Sequence, residues 1–149
     1  MLQRDREVDN NFSKWHKLYR RFDNEDYLED RLIASRISYK NASVNWSKYS
    51  KPWDVIFDYP NWGYSQLSVR HLPSELPKEK IDANAKLHSF MPEHKPLSDN
   101  YSHTEIVTYK EKTKLTGNFD LPSIVKKEFR TIVSDRSVVL AKPKGTQSD

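Results

Sequence analysis

Residues 38–64 read SYKNASVNWSKYSKPWDVIFDYPNWGY. They hold three of the four tryptophans, Trp46, Trp53 and Trp62, together with Tyr39, Tyr49, Phe57, Tyr59 and Tyr64. Each large ring can bury about 150–250 Å², so no other stretch offers as much hydrophobic free energy per residue. The fold is expected to condense here. Lys51-Pro52 is a stop, because the residue before a proline avoids the helical region. Residues 53–59 (WDVIFDY) predict a strand or a short buried segment, and Pro60-Asn61-Trp62-Gly63 is turn chemistry. Residues 65–71 then alternate, Leu67 and Val69 on one side against Gln66, Ser68 and Arg70 on the other, as a half-buried strand does. It is placed to pair with WDVIFDY as a hairpin. Residues 36–52 mix Ser, Asn and Lys with rings and read as irregular chain or a broken strand.

Toward the N-terminus, residues 1–11 are polar and expected to fray. Phe12, Trp15, His16, Tyr19 and Phe22 follow at i, i+3, i+4, i+7 and i+10. That spacing predicts one face of a helix, with Ser13 able to cap it; the alternative is a short strand, KLYRRF, entered after one helical turn. The acidic run DNEDYLED suits a second helix start capped by Asp23 or Asn24, with Leu28, Leu32 and Ile33 inward.

Toward the C-terminus, residues 72–100 hold four of the eight prolines and read as a long connection with one short strand at 86–90. Residues 104–110 (TEIVTYK) are the clearest strand. Asp120-Leu-Pro-Ser opens the best helix, with Asp120 as cap and Pro122 in the first turn. Val125, Phe129 and Ile132 make its apolar stripe. Residues 136–142 are a final strand and 142–149 a flexible tail. The predicted fold class is α+β. It is a single domain over 12–141, with a small, mostly antiparallel sheet, an N-terminal helical segment and one C-terminal helix before a last strand.

At 149 residues the chain is long enough for one core. Hydrophobic residues are only 36%, below the usual share of about 45–50%, but aromatics at 12% compensate in part. There is no cysteine, so disulfides, thiolate metal sites and cysteine nucleophiles are excluded. MLQRDREVDNNF has no apolar signal region and no run approaches the roughly 18 apolar residues of a membrane span, so the expected compartment is the cytoplasm. Net charge is +4, a mild bias that permits polyanion binding without requiring it. With glycine only at Gly63, Gly117 and Gly145, a phosphate-cradling loop is hard to build. No nucleotide cofactor and no metal is predicted. Asn41, Asn45 and Asn100 match the glycosylation pattern by chance.

Two function classes follow. The first is a macromolecule-binding or accessory module for a protein or nucleic acid. Its candidate contacts are Trp62, Tyr64, Arg20, Arg21, Lys126, Lys127 and Arg130, because arginines near rings suit stacked bases. The alternative is a small metal-independent enzyme, such as a toxin-like nuclease or transferase. There His103 and Glu105, two apart on one strand face, do acid–base work with His71, and Arg20 stabilises charge. The competing reading of the histidines is that they are solvated loop residues. The order of Arg20, Ser38 or Ser43, and Glu105 also resembles the loose outline of ADP-ribosyltransferase-like folds, though three residues at free spacing establish no membership.

Overall fold

The computed structural model describes residues 7–79 and 84–144. Nine strands and one α-helix are present among them. They are β1 (Lys17–Phe22), β2 (Tyr27–Leu28), β3 (Arg31–Leu32), β4 (Ala42–Trp46), β5 (Gly63–Ser68), β6 (His88–His94), β7 (His103–Lys110), β8 (Thr113–Lys114), α1 (Ser123–Arg136) and β9 (Val138–Ala141). The main sheet runs β6-β7-β4-β1-β5-β9 with β8 added to β7, and every pairing is antiparallel. The α+β class and the antiparallel sheet are as expected. No helix among the described residues is long and apolar enough to cross a membrane.

The N-terminal helix is not formed. Ser13 to His16 make a single turn, with the His16 N–H on Ser13 O at 3.0 Å, and residues 17–22 are strand. In the strand Leu18 and Phe22 are buried on the core face with Arg20 between them, and Tyr19 is buried on the other face, so apolar side chains are enclosed on both sides of β1. Ladder bonds to β5 along all six residues then decide for the strand. The second predicted helix start is capped as expected, since the Asp23 side chain accepts from the Glu25 N–H at 2.9 Å. It stops after one 3-10 turn at Asn24–Asp26. Glu29 and Asp30 take positive φ of 53° and 68°, and that left-handed pair turns the chain into the β2–β3 hairpin.

Residues 53–59 are not a strand either. Pro52–Ile56 is a 3-10 turn, closed by the Asp54 carboxylate, which accepts from the Lys51 N–H at 2.8 Å. Only Val55 of this turn is buried. The strand lies earlier, at β4, and β5 pairs with β1 and β9 instead of forming the expected hairpin. Gly63 makes that β9 contact possible: a Cβ there would sit 2.4 Å from Ala141 O and 2.9 Å from the Phe22 ring. The strand in the proline-rich connection runs through His94, longer than predicted.

Helix α1 forms where expected, with Pro122 rather than Asp120 at its N-cap. It lays Val125, Phe129 and Val133 on one face of the sheet, against Leu18, Phe22, Val44, Leu67, Phe90 and Ile106. Phe90 and Phe129 stack with centroids 4.2 Å apart. Trp46 belongs to a second cluster at the end of β4. There Phe12 stacks on it at 3.8 Å, and His16, His94 and Tyr49 meet it edge-on. Asp9 ties the N-terminal arm down, donating its N–H to His94 Nδ1 at 2.9 Å and accepting from Lys48 Nζ at 2.7 Å and the Tyr49 hydroxyl at 2.5 Å.

Candidate functional site

Helix α1 covers one face of the sheet. The period of two sends Ser43 and Asn45 of β4, and His103 and Glu105 of β7, to the other. The register puts Ser43 opposite Glu105 and Asn45 opposite His103. Residues 49–62 fold over one side of this face and the loop 97–103 borders the other. Between them lies a cleft of about 990 Å³ whose wall includes Ser43, Asn45, Asn100 and His103.

The loop is fixed by Asn100. Its backbone exchanges hydrogen bonds with Leu97 at 3.0 and 3.2 Å, and its carbonyl accepts from the His103 N–H at 3.2 Å. Its Nδ2 donates to Asn45 Oδ1 at 2.8 Å, while its Oδ1 accepts from the Ser102 N–H at 3.2 Å and hydroxyl at 2.6 Å. His103 is thereby held at the strand start. Its Nδ1 lies 2.9 Å from Lys95 O. A carbonyl only accepts, so Nδ1 carries a proton, and in the neutral form of the ring Nε2 presents a lone pair. That lone pair faces Ser43 Oγ at 3.3 Å. A hydroxyl, an imidazole and an acceptor that orients the imidazole thus stand together, the arrangement that activates a serine. Asn45, whose Oδ1 is taken by Asn100, lies on the same face two residues along β4 from Ser43.

Glu105 is directed elsewhere. It accepts from Lys95 Nζ at 3.0 Å, and Glu93 holds Lys114 Nζ at 2.6 Å, so the outer carboxylates of β6 and β7 are paired with lysines. The expected His103–Glu105 pair gives way to His103–Ser43. His71 closes the 3-10 turn after β5 and does not line the cleft. Burial, with Arg70, Arg136 and Lys17 around it, pushes its pKa down.

Arg20 and Arg21 both border the cleft, but alternation separates them. Arg21 stacks over Tyr59 at 4.5 Å and over Trp62 at 5.9 Å. Arg20 shares the core face with Leu18 and Phe22, where burial lowers its pKa against the opposing pull of Asp26. Arg20, Ser43 and Glu105 therefore do not converge. Tyr64 is opposite Arg21 in the ladder. On α1 the basic row is already engaged: Lys126 meets Asp120 at 3.3 Å, Arg130 Nε donates to Ile37 O at 2.8 Å, and both cations lie over Tyr39. Lys127 alone of the three is exposed. The cleft wall carries Asp54, Asp58 and Asp99 against the two arginines, so it is not the electropositive groove that a phosphate backbone selects.

Sequence reasoning placed His103 here and missed Asn45 and Asn100. The available signal for Asn100 was the Ser98-Asp99-Asn100 run of turn-forming residues directly before a strong strand. Comparison of the chain with family models, curated proteins and solved structures gave no match.

Proposed function

We propose that the protein is an acyl-transferring enzyme, a hydrolase or transferase acting on a polar carbonyl substrate through Ser43 and His103. The observation that carries this is the His103 imidazole suspended between Lys95 O and Ser43 Oγ on the wall of an open cleft. In the reaction His103 Nε2 takes the Ser43 proton as Oγ attacks the carbonyl carbon. The imidazolium then gives that proton to the leaving group, and His103 next takes a proton from water or an acceptor alcohol as it attacks the Ser43 ester, returning it to Ser43 Oγ as the acyl group departs. The Lys95 carbonyl holds the ring by its Nδ1–H and supports the positive charge that develops there. The Asn45 amide is the candidate donor to the oxyanion, a role in which one donor is typically worth 10²–10³ in rate, or about 2.7–4 kcal/mol. The wall charges favour a polar substrate of mixed charge over a polyanion.

The test is a panel of activated acyl esters and thioesters with wild type, Ser43→Ala and His103→Ala. Each variant is expected to lose about 10²–10⁴ of the rate while its melting temperature stays near wild type. Equal rates in all three proteins, or rate loss that merely follows unfolding, contradict the proposal.

A second reading, a module that binds a protein partner, is favoured by the exposed rings of the 49–62 segment: Phe57 is 85% exposed and Trp53 57%. Single exposed rings are ordinary on a surface, but these two lie four residues apart and Phe57 borders the cleft. Pull-down from native lysate, with and without nuclease, tests it. A stoichiometric protein that survives nuclease and is lost with Phe57→Asp supports this reading. Recovery that depends on nucleic acid, or that is indifferent to Phe57, opposes it.

A further inference from the structure

Strands β1, β5 and β9 meet at one end of the sheet, and their register gathers basic side chains there. Lys17, at the start of β1, stands opposite Ser68 at the end of β5, and its Nζ donates to Ser68 Oγ at 2.9 Å. The contact continues just outside this pair: the Val69 N–H donates to His16 O at 2.9 Å and the Arg70 N–H to Lys14 O at 3.0 Å. Arg136 ends α1 immediately before β9, whose Val138 is opposite Gln66 of β5. Arg70, Arg136 and Lys17 all lie near enough to His71 to oppose its protonation. Trp15 is 62% exposed, with Lys14 Nζ 5.3 Å and the Arg70 guanidinium 5.2 Å from its ring centre. Lys14, Arg70 and Arg136 are exposed as well. None of Lys14, Lys17, Arg70 and Arg136 forms an ion pair with a carboxylate among the described residues. The adjacent carboxylates are taken, Asp135 by Arg31 and Asp9, beside the end of β4, by Lys48. Like charges gathered without a counter-charge repel one another, and an anion that settles among them removes that cost.

We propose that this end of the sheet binds single-stranded nucleic acid, with Lys14, Lys17, Arg70 and Arg136 along the phosphates and Trp15 stacked on a base. Cations that follow the backbone and an open ring that takes a base are the two parts of a sequence-tolerant single-strand site. The bases of a duplex already cover one another's faces, so a free-standing indole selects an unpaired base. The Arg70 guanidinium beside the ring adds a planar cation to the same stack. A lipid surface is the poorer fit, because binding there scales with buried apolar area and the cation cluster surrounds a single ring. None of Lys14, Trp15, Lys17, Arg70 and Arg136 lines the Ser43–His103 cleft, so this site is independent of the acyl-transfer proposal.

The experiment measures fluorescence anisotropy of labelled oligo(U), oligo(dT) and a duplex of the same length as the full chain is added. Both single strands are expected to bind, and more tightly than the duplex. At about −0.7 per phosphate contact on a single strand, the four cations set a slope near about −2.8 for log affinity against log salt, a loss of roughly 50-fold between about 50 and about 200 mM. Trp15→Ala is expected to weaken binding about 5- to 150-fold, the worth of one stacked base. Arg70→Glu and Arg136→Glu should each weaken both strands alike and flatten the salt slope. Lys112→Glu makes the same charge change at an exposed position between β7 and β8 and should stay near wild-type affinity. If a variant fails to fold, the salt slope and the single-strand preference of the wild-type chain still decide. Four results overturn the proposal: no binding to either single strand at about 50 mM salt, equal binding to the duplex, a loss in Lys112→Glu that matches Arg70→Glu, or binding to phosphatidylserine vesicles with none to the oligonucleotides.

Discussion

Asn100→Ala should damage both stability and the site, because Asn100 delivers His103 to Ser43. The substitution removes three side-chain hydrogen bonds: the donation to Asn45 Oδ1 and the two acceptances from Ser102. At about 0.5–1.5 kcal/mol net for each, the sum is about 1.5–4.5 kcal/mol. Asn100 is only half-buried, so water replaces part of what is lost and about 2 kcal/mol is expected. The Leu97–Asn100 backbone pair survives in principle, but its loop loses the anchor on β4. His103 then moves relative to Ser43, and a displacement near 1 Å can cost about 10² in rate. Asn100→Asp separates the two effects. It keeps both acceptances from Ser102 and loses only the donation to Asn45, so it should cost about 1 kcal/mol and retain more activity than the alanine variant. Urea denaturation gives the stabilities and ester turnover gives the rates. An alanine variant within about 0.5 kcal/mol of wild type refutes the anchoring argument. A destabilised variant with undiminished turnover refutes the link to His103.

Gly63→Ala should cost about 1–3 kcal/mol, read as a lower urea midpoint, because the new methyl meets backbone and ring atoms at β9 and β1. A neutral result places β9 elsewhere. Phe129→Ala should cost about 3–5 kcal/mol, the range for a buried ring, since it empties the space against Phe90; a loss below about 1 kcal/mol contradicts the core described above. Stability should also depend on pH through His71 and His88, both held below the ordinary value of 6.5 by burial. Below 6.5 the unfolded chain takes up protons that the folded chain resists, so urea midpoints should be level above 6.5 and fall as pH drops beneath it. Midpoints that rise on acidification in that range contradict this. A separate loss should begin below 3.8, where Asp120, held at about 2 by the Tyr39 hydroxyl, starts to protonate in the unfolded chain first.

The parts of the fold that the sequence revealed are those where one physical term dominates. The stripe Val125, Phe129 and Ile132 has no competing period, and TEIVTYK is β-branched with flanking turns, so α1 and β7 were legible. The stretch from Phe12 to Phe22 carries the helical spacing, yet the ladder to β5 makes residues 17–22 a strand. In residues 38–64 the rings were correctly read as structurally important but wrongly assigned as to which are buried. Trp46 is fully enclosed while Phe57 and Trp53 face outward, a difference set by partners distant in sequence: Phe12, His16 and His94. The site divides in the same way. His103 was visible as a titratable residue at a strand start. Its partner was not, because Ser43 lies 60 residues away and local spacing carries no trace of the β4–β7 register.

The most direct test of the acyl-transfer account is intact-mass analysis after treatment with a fluorophosphonate, followed by peptide mapping. A nucleophilic Ser43 activated by His103 should gain one phosphonyl group on Ser43 in wild type and none in His103→Ala with its fold intact. No adduct, an adduct on another residue, or equal labelling of the His103→Ala protein would contradict it.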